Sequence, residues 1–346
     1  MKILFVINSL KSRSGTERVA ISLANYLSNF PNSEIMIANR DTDRKNAAYP
    51  VMNNVKIIDL DGSYLSFFHK LKQNVKQNKY DFVVVHNMGR LSLLCLFLSN
   101  FVKIISFEHS SFISRSVLVR FFSKIFYYKI HKVVVLTKNE FQNFSHIHKK
   151  VIHVPNFTSY YDSSRQMIEK NKNIVLSVGR LDSNKNIIHV LKAWHKKIDI
   201  LHNWELHIYG EGDQKNFLLN FVEENSISNI YFKGVIENPE LAYESAKIFV
   251  MTSKFEGLPM VLIEAQCFGL PIVAYNCPYG PSDVIDDGKN GFLVENQNVD
   301  AFAEALEKLI TSKSLIKEFT EKSLLNSENY KPEKIVNIWI NQVFKG

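Results

Sequence analysis

Apolar residues along this chain keep two alternating rhythms. Short, nearly continuous runs of Val, Ile, Leu and Phe occur at 2–8 (KILFVIN), 34–39 (EIMIAN), 55–60 (VKIIDL), 81–87 (DFVVVHN), 102–109 (VKIISFEH) and 132–137 (KVVVLT). Runs of this kind are strands covered on both faces, which means a parallel sheet flanked by helices. Segments with helical spacing, such as 16–30, separate them. A polar stretch at 153–173, carrying Pro155, interrupts the series. It then restarts at 173–179 (NIVLSVG), 205–210 (ELHIYG), 229–234 (NIYFKG), 247–253 (KIFVMTS), 271–276 (PIVAYN) and 291–295 (GFLVE). The pattern predicts two tandem Rossmann-like, doubly wound α/β domains, at 1–158 and 159–330. A last helix, 331–346, places Ile335, Ile338, Trp339 and Val343 on one face and is expected to pack back on the first domain.

Composition supports that plan: 346 residues, 46% of them hydrophobic, are enough for two cores. The opening MKILFVINSL has too short an apolar run and no small-residue cleavage site, so it reads as a strand and not a signal peptide. The longest apolar run, LSLLCLFLSNFVKII, is broken by Ser99, Asn100 and Lys103 and is too short to span a bilayer. Cys95, Cys267 and Cys277 lie in apolar surroundings without metal spacing, which fits reduced thiols. The net charge of +8 is uneven. Residues 1–160 hold 22 Lys and Arg against 9 Asp and Glu, whereas the rest of the chain is acidic on balance. A basic first half calls for an anionic partner: nucleic acid, a membrane face or a phosphorylated substrate. No nucleic-acid motif accompanies it. Segment 114–132 mixes Arg115, Arg120, Lys124, Lys129 and Lys132 with Phe121, Phe122, Phe126, Tyr127 and Tyr128, and 63–79 repeats the mixture. Such helices can lie on an anionic membrane; alternatively their aromatics fill the core and only the cations face water.

The stretch SKFEGLPMVLIEAQCFGLPIVAYN, from Ser253, holds two carboxylates. Glu256 opens the Gly257-Leu258-Pro259 turn at the carboxyl end of a strand, where open α/β sheets bind ligands. Gly257 supplies backbone freedom, Pro259 suits the first helical turn, and Glu264 falls about two turns into the helix. A carboxylate there can accept both hydroxyls of a sugar diol, and the free amides of the helix start can meet a phosphate. The alternative makes Glu264 a water-facing helix residue without a role. Arg180 and Lys185 follow a strand in LSVGRLDSNKN, one a planar fork for phosphate oxygens and the other a mobile point charge. Gly15 sits at the first strand–helix turn, where backbone amides can approach an anion; its setting is not G-x-G-x-x-G. His109 follows a strand, with Glu108 a weaker candidate beside it. His146 and His148 sit in polar helical context and read as surface residues. Asp59 and Asp61 form a D-x-D far from these motifs, and no metal is expected.

FEGLPMVLIEA resembles the E-x7-E signature of retaining GT-B glycosyltransferases, specifically glycosyltransferase family four. GLPIVAYNCPYGPSDVIDDGKNGFLV, VGRLDSNKN, IYGEGDQ and FKGVIEN resemble the same family, in its order. The resemblance covers nearly the whole chain and is densest over 173–295. It implies a GT-B fold whose two domains face across a cleft, the first binding acceptor and the second a nucleotide sugar. It implies that Arg180 and Lys185 bind the donor diphosphate, that Glu256 and His109 contact the hexose, that Glu264 holds the ribose diol, and that Gly210 and Val235 lie where backbone meets the nucleotide. The family's usual glycine pair is Ser14-Gly15 here. The implied enzyme is a retaining hexosyltransferase without a metal or other cofactor. Its donor would be a nucleotide sugar, such as UDP-Gal, UDP-GlcNAc or UDP-GalNAc. Its acceptor would be a polyprenyl-diphosphate-linked glycan of capsule, O-antigen or exopolysaccharide assembly, at the inner face of a bacterial plasma membrane. The competing readings are a soluble acceptor, a sugar-nucleotide epimerase, and a non-catalytic glycan-binding subunit.

Overall fold

The computed structural model describes every residue except 12–14, 41–46, 88, 159, 162–171, 237 and 346. The chain forms two compact units, Met1–Ser159 with Pro332–Gly346, and Tyr160–Lys331.

The first unit is built on β1 (Lys2–Ile7), β2 (Glu34–Asn39), β3 (Val55–Asp59), β4 (Phe82–Asn87), β5 (Lys103–Glu108), β6 (Lys132–Val135) and β7 (Val151–His153). All seven run parallel, in the order β3-β2-β1-β4-β5-β6-β7. Five of the six residues of β1 are buried, on both faces, which is why this strand shows no polar alternation. The connecting helices are α1 (Gly15–Ser28), α2 (Tyr64–Asn78), α3 (Arg90–Cys95), α4 (Val117–Phe126) and α5 (Lys138–Ser145). Ser63 and Thr137 start α2 and α5, their hydroxyls accepting the amides of Ser66 and Glu140. Strand β7 was not legible in the sequence, because three residues are too few to show a period.

The second unit repeats the plan with β8 (Ile174–Val178), β9 (Glu205–Tyr209), β10 (Ile230–Gly234), β11 (Ile248–Met251), β12 (Ile272–Asn276) and β13 (Gly291–Glu295), in the order β10-β9-β8-β11-β12-β13. Its helices are α6 (Ile187–Lys196), α7 (Lys215–Glu224), α8 (Pro239–Ser245), α9 (Met260–Cys267), α10 (Pro281–Val284), α11 (Val299–Thr311) and α12 (Lys313–Ser327). In both sheets the first strand lies inside, next to the fourth. The connections depart in opposite directions from that pair, which opens a crevice at the carboxyl ends of β1 and β4 and of β8 and β11.

The tail belongs to the first unit. Helix α13 (Pro332–Ile338) passes into a π-helical turn, Trp339–Val343. Trp339 lies edge-on to Phe107 at 5.0 Å between ring centres, and Phe344 packs on Phe82 at 5.2 Å. The Lys132 ammonium donates to the carbonyls of Gln342 and Lys345 at 2.7 and 2.5 Å. Lys132 is therefore committed to closing the tail and is not part of a solvent-facing basic helix.

Arg115 and Tyr127, grouped with that helix in the sequence, are buried as well. Glu108, the last residue of β5, accepts from the Arg115 guanidinium, from the Tyr127 hydroxyl at 2.9 Å and from the Ser106 hydroxyl at 2.6 Å. Glu140 takes the Ser111 hydroxyl at 3.0 Å and the Phe112 amide at 2.9 Å. Two buried carboxylates thus fix the loop that carries His109 away from β5. Removing one partner of a buried ion pair leaves the other charge without compensation, at a cost of about 3–5 kcal/mol. Glu108→Ala is expected to lower the stability of the first unit by that amount in urea unfolding; a loss below about 1 kcal/mol would mean the pair is dispensable.

Candidate active site

In the second unit the loops after β8 and β11 are bolted together. Asp182 Oδ1 accepts the amides of Asn184 and Lys185 at 3.1 and 2.9 Å, folding the first loop on itself. The Asn184 side-chain amide donates to the Phe255 carbonyl at 2.9 Å, and the Asn184 carbonyl takes the Lys254 amide at 2.8 Å. The Thr252 hydroxyl donates to the Asn186 carbonyl at 2.9 Å. These cross-links bring Lys185 Nζ to 2.6 Å from Glu256 Oε1, with the two side chains only 22% and 12% exposed. A cation held in a half-buried setting by one carboxylate acts more strongly on a nearby anion than a free surface lysine does. Arg180 behaves differently. It pairs with Asp182 Oδ2 at 2.7 Å but is 79% exposed, so its guanidinium is loosely held.

Glycines make this packing possible. Gly210 follows β9 at φ +147°, and a Cβ there would lie 1.8 Å from the Gly179 carbonyl oxygen. Gly280 adopts φ +88°, and its Cβ would lie 1.9 Å from the Gly257 carbonyl oxygen. Sequence reasoning assigned conformational freedom to Gly257, yet Gly257 has no positive φ. The demand falls instead on Gly280, which packs against it.

Helix α9 begins at Met260, with Pro259 as its N-cap and no side-chain cap over the first amides. Pro259 thus precedes the first helical turn. Glu264 lies about one turn in, half the expected depth. It is buried, not water-facing, and accepts the Tyr243 hydroxyl at 2.7 Å. Leu258 is buried beside the N-cap, while Val235 follows β10 and is exposed. Cys277 follows β12; burial and then the nearby Glu256 charge push its thiol up to about 12, so it stays protonated. The structure therefore brings Arg180, Lys185, Glu256, Gly257, Leu258, Pro259, Gly210 and Val235 to the carboxyl edge of one sheet, with Glu264 just inside α9.

His109 and Gly15 belong to the first unit. Gly15 starts α1 with nothing among the described residues within 4 Å of a would-be Cβ, so packing against them does not require glycine there. Its neighbour Ser14 lies outside the described residues. His109 faces His86 at the end of β4, with Nε2 and Nδ1 3.1 Å apart. His86 was missed by sequence reasoning; its only signal is a histidine closing the apolar run VVVH. Its Nε2 has no partner among the described residues, and it lines a cavity of about 320 Å³ with Asn8, Thr16, Glu17, Tyr64 and Arg90. Burial lowers the pKa of both imidazoles, His109 to about 3 and His86 well below its ordinary value, so the pair is neutral. His148, expected at the surface, is buried: its Nε2 lies 2.9 Å from the Ile130 carbonyl and its Nδ1 accepts the Lys150 amide. Among the described residues no group of three His, Cys, Asp or Glu side chains is placed to hold a metal ion. Asp61 is paired with Lys70 at 2.8 Å.

Two doubly wound parallel sheets in one chain make a GT-B fold. The chain belongs to the family described as glycosyl transferases group 1, whose family model matches residues 162–324. It is 31% identical to the amylovoran biosynthesis glycosyltransferase AmsD of Erwinia amylovora, over 98% of each chain. It is 28% identical to a Campylobacter jejuni α-1,4-N-acetyl-D-galactosaminyltransferase named for a GalNAc-containing glycan on PP-undecaprenol, over 99% of this chain and 98% of that one. The crystal structure of Anabaena HepE with UDP and glucose has a similar fold, with a TM-score of 0.84 over 99% of both chains at 15% identity.

The neutral histidine pair makes the first unit sensitive to acid. An unfolded imidazole takes up its proton near pH 6.5, whereas folded His109 does so only at about 3. Between those values the unfolded state binds more protons, so stability falls as pH falls. Thermal unfolding followed from about pH 7 to about pH 4 should show a falling midpoint, with a shallower fall in His109→Gln; parallel slopes would contradict this assignment.

Proposed function

We propose that the protein is a retaining family-four hexosyltransferase, moving a sugar from a UDP-linked donor to a polyprenyl-diphosphate-linked glycan during bacterial surface polysaccharide assembly. The observation that carries this reading is the Lys185–Glu256 pair, 2.6 Å apart at the carboxyl edge of β8 and β11. As the sugar–phosphate bond breaks, the departing diphosphate gains negative charge, and cations already in place stabilise that state most. Lys185 supplies the fixed charge. Arg180, loosely held, can swing to a terminal phosphate, and the uncapped amides of α9 face the same anion. Glu256 serves twice, holding Lys185 in position and accepting hexose hydroxyls. Glu264, which accepts the Tyr243 hydroxyl, is in this reading the acceptor for a ribose diol. Neutral His109 can hydrogen-bond a sugar hydroxyl without adding a positive charge. The leaving phosphate oxygen accepts the acceptor's proton on the face from which it departs, so configuration is retained and no enzyme base is needed.

The two relatives, one in amylovoran biosynthesis and one named for an undecaprenol diphosphate glycan, support a lipid-linked acceptor. So does the surface of α4. Val117, Leu118, Phe121, Phe122, Ile125 and Phe126 are all exposed there, beside Arg120 and Lys124. A contiguous apolar face of this kind, rimmed by cations, suits the boundary of an anionic bilayer. No helix among the described residues is long and apolar enough to cross a membrane. Attachment in this reading is peripheral, at the inner face of the plasma membrane.

A panel of nucleotide sugars with a polyprenyl-diphosphate glycan acceptor tests the reaction, the product anomer being read by NMR. Transfer with retention is expected, and Glu256→Ala or Lys185→Ala should lower kcat by about two to three orders of magnitude. An inverted product, or folded variants with full rate, would refute the reading.

A further inference from the structure

The first unit has a second cavity, at the sheet edge opposite the histidine pair. About 720 Å³ in volume, it opens where β5 and β6 begin and is lined by Lys103, Lys129, His131, His148, Lys149 and Lys150, with no acidic residue in its wall. All four lysines are exposed. None forms an ion pair among the described residues, and Lys103 and Lys129 rest only against the rings of Phe82 and Tyr128. His131 Nε2 has no hydrogen-bond partner among the described residues. The buried His148 fixes the backbone at Lys150, since its ring bridges the Ile130 carbonyl and the Lys150 amide.

Helix ends offer a simple reason for cations here. The carboxyl termini of α5 and of the turn after α4 lie along this edge, each carrying about half a negative charge. Lys132 already serves such a purpose, donating to the carbonyls of Gln342 and Lys345. Four further lysines exceed what two half-charges need. The pKa of His131 is pushed down to about 4, by burial first and then by Lys150, Lys103 and Lys132. Like charges gathered around an unsatisfied imidazole are relieved by an anion that bridges them.

Position supplies the anion's source. Tyr128, which lines the cavity, is itself exposed and lies two residues past Phe126, the last exposed apolar residue of α4. A bilayer in contact with α4 brings its headgroup layer to this side of the unit. We infer that the cavity binds the phosphate of an anionic phospholipid headgroup while α4 contacts the acyl boundary. This rests on the membrane-facing reading of α4.

The test is sedimentation of the whole protein with phosphatidylcholine vesicles, with and without phosphatidylglycerol, at low salt. It uses no nucleotide sugar, so its failure is separate from failure of the transferase reading. Phosphatidylglycerol should increase binding, and Lys149→Glu with Lys150→Glu should weaken it at least tenfold. The same charge change at Lys313 and Lys317, on α12 of the second unit, should have a much smaller effect. Circular dichroism melting confirms that each variant is folded. In parallel, inorganic phosphate should shift the His131 ring signals by NMR. Equal losses in both double variants, or unchanged binding in the first, would overturn the site. Phosphate perturbing His131 while wild-type protein ignores phosphatidylglycerol would overturn the lipid as its ligand in favour of a free phosphate compound.

Discussion

The hydrogen-bonded lock between the loops after β8 and β11 is the constraint on which the proposed donor site depends. Asn184 reaches across with both its side chain and its carbonyl, and Thr252 answers from the other side. Lys185 and Glu256 face one another as a consequence of that backbone geometry. Their attraction is modest in water and larger in a half-buried crevice, where little solvent screens it. Glycines at 210 and 280 are the price of admission, since any side chain there would occupy space taken by a neighbouring carbonyl.

The first unit solves a different problem with different means. Its critical loop leaves β5 through the protein interior, anchored by carboxylates that have given up water for Arg115, Tyr127, Ser111 and backbone. Its histidines are kept neutral by burial. Its cations are divided between structural work, as at Lys132 and Arg115, and a solvent-facing rim along α4 and the opposite sheet edge. The strong positive charge of this half is therefore not one uniform feature. Part of it is consumed in folding, and the remainder defines surfaces.

Most of the architecture was legible in the sequence because parallel strands buried on both faces must be nearly continuous in apolar residues, as β1 and β12 are, and the twelve runs read from the sequence all fall on strands among the described residues, the half-exposed edge strand β10 included. Candidate residues on loops directly after strands were legible for the same reason: the chain's own order puts them at the carboxyl edge. What escaped depends on contacts between distant segments. Gly280 lies 23 positions after Gly257, and nothing local marks it as the tight residue of that pair. The burial of Arg115 and Lys132 within a basic, aromatic segment could not be separated from the exposure of Lys124, since helical spacing shows faces but not which partner covers them. His148 was misplaced because its polar neighbours conceal the two backbone bonds that hold it inside.

The account's central claim is that Lys185, set by Glu256, forms a diphosphate site. Calorimetric titration with UDP and UMP tests it most directly, because the two ligands differ only in the β-phosphate. Wild-type protein is expected to bind UDP at least about tenfold more tightly, a difference of about 1.4 kcal/mol, and Lys185→Ala to lose most of that preference. Equal affinities for UDP and UMP in the wild type, or an undiminished preference in the variant, would contradict it.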